Sequence, residues 1–422
     1  MFTAKIADDT EVRHDAKARK LSARHYFWRS VLLLSAFVVA PALAQAQSRT
    51  YQTEHYRLVT DVEPDLAADL SKRMDAMYDE YTRRLDSFSR TDPDRRFNVF
   101  VFNRQVDYMR FIDNRLPNTG GVFIAHKDAL AAYLELQGRD ALRQTLQHEA
   151  FHQFAHQFIS QDLPLWLNEG MAQIFQEGIW TGRGFIVEQI PPKRIRQLRA
   201  DMAGGKLMPF ADFLAVDHRD WAKTMRNRER GATQYNQAWA MVHFLVYATD
   251  EQGQPAYRER FIKMLRMIHE GTNANEAFRA HFGANYPAFQ RRFVEWAQTL
   301  QPTPEASYVE RVEVLADLMM LLRERGLKFD TPGELRQHVT TGRYQLQYTT
   351  GFLRWSSEPD ANTYFKDLQG RDLVGDQIRF DPRGGAPLPD IVMRPQGRLE
   401  FRARFYIATN GKLEREVIVT AR

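Results

Sequence analysis

"LRQTLQHEAFHQFAHQF", residues 142–158, carries three histidines at a spacing of four: His148, His152 and His156. Residues four apart on an α-helix share one face, about a turn apart. Leu142, Leu146, Ala150, Phe154 and Phe158 form one stripe of such a helix. The histidines form another, offset by two residues or roughly 200°. The apolar stripe can enter a core while the histidine stripe faces an opposing cleft. There His148 and His152 can offer imidazole nitrogens to a single zinc ion. Glu149, roughly 100° further round, can reach a water at the metal without ligating it. His-Glu-Ala-Phe-His thus follows the HExxH pattern. His156 extends the face by a turn and is expected to be solvated or to support the ligands.

Zinc needs a third protein ligand. Seventeen residues past His152 comes "PLWLNEGMAQIF" (164–175), with Glu169 on a second helix expected over 165–176 after a break at Pro164. A helix–turn–helix of this length can fold back and aim Glu169 at the metal. His148, His152 and Glu169 plus one open position is a catalytic donor set rather than a closed structural one. Gln173, one turn after Glu169, is a candidate partner for the second nitrogen of a ligating imidazole. Trp166 is expected to pack the ligand helix.

Working outward, "HYRLVTD" (55–61) alternates like a strand, and a helical pattern runs from Leu66 to Leu85 behind Pro64-Asp65. "FNVFVF" (97–102), "GGVFIAH" (120–126) and "LAAYLEL" (130–136) read as further strands. Residues 181–230 suggest short helices, 234–283 a helical lobe, and 287–299 one more helix. "QPTPE" (301–305) is a candidate linker. "VEVLADLMMLLRERG" beyond it is amphipathic, with Met319 and Met320 as packing residues. "RLEFRARFYIAT" and "LEREVIVT", joined through a two-residue turn at Asn410-Gly411, predict a C-terminal β-hairpin.

HExxH followed by WLNEG resembles the gluzincin metallopeptidases, in particular the catalytic core of the aminopeptidase-N and leukotriene-hydrolase group, and more narrowly exported bacterial domains with a peptidase-like core. The resemblance covers roughly residues 50–300. It implies one Zn²⁺ held by His148, His152 and Glu169, with Glu149 as general base. In that group a tyrosine about 65 residues after the ligand glutamate stabilises the oxyanion. Tyr235, in "TQYNQAWAMVHFL", stands 66 residues after Glu169. It is the expected oxyanion donor, with His243 a weaker alternative. The group's Gly-x-Met-Glu-Asn strand, whose glutamate holds the substrate's free amine, has no counterpart here. Thr119-Gly120-Gly121-Val122-Phe123 carries no acid, and the group's large N-terminal β domain is missing. The strand near Gly121–His126 could still pair with an extended peptide. His126 itself reads as a surface histidine.

The expected fold is α+β. A thermolysin/gluzincin-like core holds a small mixed sheet and the HExxH helix, then a helical lobe, with a small β-rich module at the C-terminus. The expected divisions are 1–46, leader and signal peptide; 48–180, α/β lobe with the zinc helices; 181–302, helical lobe; and 303–422, helix plus β-rich module. Composition sets further bounds. No cysteine is present, which excludes disulfides, thiolate metal sites, cysteine nucleophiles and a lipidated N-terminus of the lipobox kind. Arg29, the apolar run Val31–Ala40 and Ala42-Leu43-Ala44 suit a signal peptide rather than a spanning helix. An uncleaved leader could also act as an anchor. Residues 1–47 carry seven Lys/Arg against four Asp/Glu, so only +2 of the formal +5 belongs to the remainder. That balance speaks against a nucleic-acid partner. The expected protein is an exported, periplasmic or secreted, zinc-dependent metallopeptidase acting on a peptide or protein substrate, more endopeptidase than aminopeptidase, with no stable membrane span after signal cleavage. The competing reading is a non-catalytic envelope binding or scaffold protein that keeps a metal-stabilised gluzincin fold.

Overall fold

The computed structural model describes residues 48–88, 95–114, 119–350 and 353–422, so the leader expected over 1–46 lies outside the described residues. The chain opens with β1 (Arg49–Gln52) and β2 (Tyr56–Thr60), an antiparallel pair. α1 (Pro64–Arg84) follows. Proline occupies its first turn, where no amide hydrogen is needed, and Arg83 and Arg84 complement the dipole at its end. It crosses over to β3 (Phe97–Phe102), parallel to β2. α2 (Gln105–Phe111), β4 (Gly121–Ile124) and β5 (Ala129–Tyr133) complete a mixed sheet of order β1-β2-β3-β5-β4. β5 is parallel to β3, and β4 runs antiparallel to β5 at the sheet edge.

The histidine helix, α3 (Arg139–Phe158), starts after Gly138, whose φ of 78° suits only glycine well. Its Leu142, Leu146, Ala150 and Phe154 are buried, as the stripe demanded. α4 (Leu165–Gln176) matches the expected ligand helix. The short strands β6 (Ile179–Trp180) and β7 (Phe185–Ile186) lead to α5 (Pro192–Ala203), α6 (Phe210–Leu214), α7 (His218–Met225) and α8 (Arg228–Tyr247). α9 (Arg258–His269), α10 (Ala274–Phe282) and α11 (Tyr286–Thr299) close the helical region. One apolar core, from Tyr56 to Leu300, runs under both the sheet and these helices.

A second core begins at Tyr308 and ends at Val419. It lies between α12 (Pro304–Glu324), α13 (Pro332–Gly342), the hairpin β8 (Gln347–Thr350) and β9 (Leu353–Ser356), and an antiparallel sheet. That sheet is β10 (Ile378–Asp381), β11 (Asp390–Met393), β12 (Leu399–Ile407) and β13 (Leu413–Ala421), in sequence order. Met319 and Met320 pack here as expected. The final hairpin differs from its expected two-residue turn. Ile407 pairs with Leu413, the Ala408 amide bonds the Lys412 carbonyl at 2.8 Å, and Gly411 takes a φ of 77°. A glycine in the left-handed region closing a longer loop satisfies the strand twist as well as a tight turn does. The architecture is mixed α+β. Among the described residues no helix is long and apolar enough to cross a membrane.

Buried ion pairs tie the second core to the first. β13 sends Arg415, 5% exposed, to Asp317 of α12 and Asp140 of α3, both at 3.0 Å. Glu416 bonds Arg143 at 2.8 Å, and the Val417 amide bonds Asp140 at 2.9 Å. The C-terminal hairpin therefore grips the first turns of the histidine helix.

Candidate metal centre

α3 and α4 pack side by side, and the turn at 159–164 reverses the chain between them. The result brings together the three expected ligands. His148 Nε2 and His152 Nε2 lie 3.1 Å apart, and Glu169 Oε2 stands 3.2 Å from the first and 3.7 Å from the second. These side chains are only 12–13% exposed. Their ligand atoms form the one group of this kind among the described residues.

The imidazoles are held from behind. His148 Nδ1 meets the Gln176 amide oxygen at 2.9 Å, and His152 Nδ1 meets the Asn168 amide oxygen at 2.9 Å. An amide oxygen only accepts, so in the neutral imidazole that a metal requires, each Nδ1 carries the hydrogen and each Nε2 offers its lone pair. Three acceptors then converge on one point. Burial works against charge on His148, but Glu169 outweighs it and raises the imidazole pKa above its ordinary value. Burial likewise opposes charge on Glu169, but His152 and His148 outweigh it and hold the carboxyl below its ordinary range. The pocket favours a positive charge between these groups.

Gln173 does not serve a histidine. Its amide donates to the Glu169 and Tyr235 carbonyls, and its oxygen accepts from Arg194 at 2.8 Å. Seven residues, not four, carry the orienting amide: Gln176 lies two turns past Glu169 and so returns to the same face. That heptad spacing was the available signal. Asn168 immediately precedes the ligand and was equally legible.

Tyr235 sits on the second turn of α8, which starts behind an Asn227 cap. Its hydroxyl is hydrogen-bonded with Glu169. Burial, then the Glu169 charge, pushes the phenol well above its ordinary pKa, so it stays a donor. What brings it there is Gly170. A Cβ at that position would lie 2.5 Å from the Ala238 carbonyl oxygen and 2.5 Å from Val242 Cγ2. Only glycine lets α4 and α8 approach this closely.

Glu149 stands outside the ligand group. Its Oε2 accepts the Phe123 amide of β4 at 2.9 Å, so that amide points away from β5 and towards the cleft. The double glycine before Phe123 follows from the same crowding. A Cβ on Gly120 would displace the Gln137 amide, and one on Gly121 would meet Thr145 Cγ2 at 2.5 Å and the Ala131 carbonyl oxygen at 3.0 Å. β4 is thereby seated against α3. His156 packs against the Phe123 ring, 5.4 Å between centroids, and is not part of the ligand group. His126 is exposed on a short 3₁₀ turn. Trp166 is buried on α4 and packs against Phe278. His243 departs from its expected donor role. It is buried among Trp239, Tyr247 and Trp296, two turns beyond Tyr235 on α8.

A family model described as a protein of unknown function (DUF1570) matches residues 143–270, a stretch that holds His148, His152, Glu169 and Tyr235. No curated protein matches the chain.

Proposed function

We propose that this chain is an exported, zinc-dependent hydrolase of peptide bonds with a gluzincin-like core. The observation that carries the proposal is the convergence of two imidazole nitrogens and one carboxylate oxygen, each able to ligate a metal ion, on one point. Donor atoms at about 2.0–2.1 Å from a tetrahedral zinc lie roughly 3.3 Å from one another. The separations here, 3.1, 3.2 and 3.7 Å, bracket that value. Glu169 Oε2 is moreover buried without a hydrogen-bond donor. The residues fit the ion: His148, His152 and Glu169 would hold it. When bound, zinc supplies Lewis acidity, lowering the pKa of a water and polarising a carbonyl.

The chain's own groups supply the rest. The Glu149 carboxylate takes the proton of the attacking water and passes it to the leaving amine nitrogen. Its bond from the Phe123 amide fixes the carboxylate at the cleft edge. The Tyr235 hydroxyl, kept protonated, donates to the oxyanion that develops on the carbonyl oxygen. β4 is an edge strand, and an extended peptide laid along it gains main-chain pairing. Thr119–Phe123 offers no carboxylate for a free α-amine, which favours cleavage within a chain. The leader's signal-like pattern supports export.

The test incubates the protein from residue 47 onward, and its Glu149→Gln variant, with a complex peptide mixture. New termini are read by mass spectrometry, and bound metal by elemental analysis. One zinc per chain in both forms, with internal cuts by the parent alone, is the expected result. Equal cleavage by Glu149→Gln rejects the mechanism. Zinc without cleavage in either form favours the scaffold reading.

A further inference from the structure

Behind the metal site lies a crevice that the proposed hydrolysis does not use. Its water-accessible interior is about 50 Å³ and opens to solvent, room for a few waters or for part of a narrow alkyl chain. Met171, Ile174 and Phe175 of α4 form one wall, and Val242 and Val246 of α8 with Phe261 of α9 form the others. On α4 these three side chains fall 140–240° from Glu169 by helical geometry, so the crevice backs the face opposite the ligand. The interior is apolar, but the mouth is not. Arg84, Tyr247 and Arg258 stand there.

The mouth groups differ in how far they are satisfied. Arg84 is paired with Glu80 at 3.1 Å and Glu188 at 2.6 Å, and it also donates to the Tyr247 hydroxyl at 3.3 Å. Arg258 is exposed and has no ion-pair partner among the described residues. Burial raises the Tyr247 phenol, so it stays a donor, and both Arg84 and Arg258 lie within electrostatic reach of it. An unpaired guanidinium and a phenol hydroxyl at the lip of an apolar slot are complementary to an anion that carries a hydrocarbon tail.

We propose that this crevice binds a single-chain anionic amphiphile, of the class of a medium-chain fatty acid. The carboxylate pairs with Arg258 and accepts from Tyr247, while the chain enters between α4, α8 and α9. The head group cannot lie inside, because nothing there would bond it. A cationic head is disfavoured by Arg258, the mouth guanidinium that no carboxylate neutralises, since Arg84 is already paired with Glu80 and Glu188. Occupancy braces the back of the helix that carries Glu169, so the site is distinct from the metal centre but shares an element with it.

Isothermal titration calorimetry on the protein from residue 47 tests the proposal with octanoate, decanoate and octylamine. Octanoate should bind at one site per chain. Decanoate should bind about tenfold tighter, since each added methylene contributes about 0.8 kcal/mol. Octylamine should not bind. Arg258→Glu should weaken octanoate by about tenfold or more, and Ile262→Trp, at the half-buried rim, should block the slot. A thermal melt of each variant checks that it is folded. The proposal is overturned by no saturable binding of either acid, by octylamine binding as well as octanoate, or by octanoate affinity unchanged in a folded Arg258→Glu protein.

Discussion

Replacing Gly170 by alanine sets two effects of opposite sign against each other. In a helix interior alanine is favoured over glycine by about 1 kcal/mol, so propensity alone makes Gly170→Ala stabilising. The packing says otherwise. The new Cβ would stand 2.5 Å from a backbone carbonyl oxygen and 2.5 Å from a buried methyl, where ordinary contact starts at 3.4 Å. α4 and α8 would have to part by about 0.9 Å, the difference between those figures. The carbonyl belongs to Ala238 in mid-helix and cannot swing away. Overpacking of this kind costs about 1–3 kcal/mol, which exceeds the propensity gain. A net loss of up to about 2 kcal/mol is expected. Because Glu169 and Tyr235 sit on the two parting helices, their contact opens as well, and zinc affinity and turnover should fall. Urea unfolding in the presence of a chelator measures the first effect free of metal linkage, and a competing zinc indicator measures the second. A variant that is about 1 kcal/mol more stable than the parent would refute the close approach, and with it the account of how Tyr235 reaches the site.

Asn168→Ala and Gln176→Ala each free one imidazole to turn, and each should weaken zinc by about 10–100-fold with the far-ultraviolet circular dichroism unchanged. Equal affinity in all three proteins would remove these amides from the site. Arg415→Ala removes the cation that faces Asp317 and Glu313 in the junction between the two cores and leaves Asp140 to Arg143 and the Val417 amide, and denaturation should show a loss of about 3–5 kcal/mol. A loss under 1 kcal/mol would mean that solvent already reaches the network. His243 is buried with neither ring nitrogen bonded, and burial lowers its pKa to about 3. The unfolded chain takes up this proton below about pH 6.5 while the folded one does not, so stability falls with pH over that window, by about 2 kcal/mol at pH 5. Above pH 6.5 the group contributes no pH dependence. His243→Phe should therefore lose less stability than the parent between pH 7 and pH 5, and equal losses would show that the ring is not neutral in the fold.

The residues of the candidate donor set were legible because helix geometry is local. His148, Glu149 and His152 take their mutual placement from a 3.6-residue turn, and the break at Pro164 announces the second helix. Alternation marked β2 and the final hairpin, and the chain between Leu300 and Tyr308, where one core ends and the other begins, coincides with the Pro-rich "QPTPE". What the sequence could not determine is which groups meet across helices. Gln173 and Gln176 are the same residue type on one face of α4, and only the position of α3 decides that Gln176 holds His148 while Gln173 turns to Arg194. His243 and Tyr235 lie on one helix, and only the tilt of α8 over Gly170 brings the tyrosine to Glu169 and leaves the histidine in the core. The grip of β13 on α3 joins Arg415 to Asp140 across 275 residues of sequence, and no local pattern encodes such a pair. Spacing along the chain determined the donor set. Packing between helices decided how it is oriented, because that depends on contacts which sequence distance does not record.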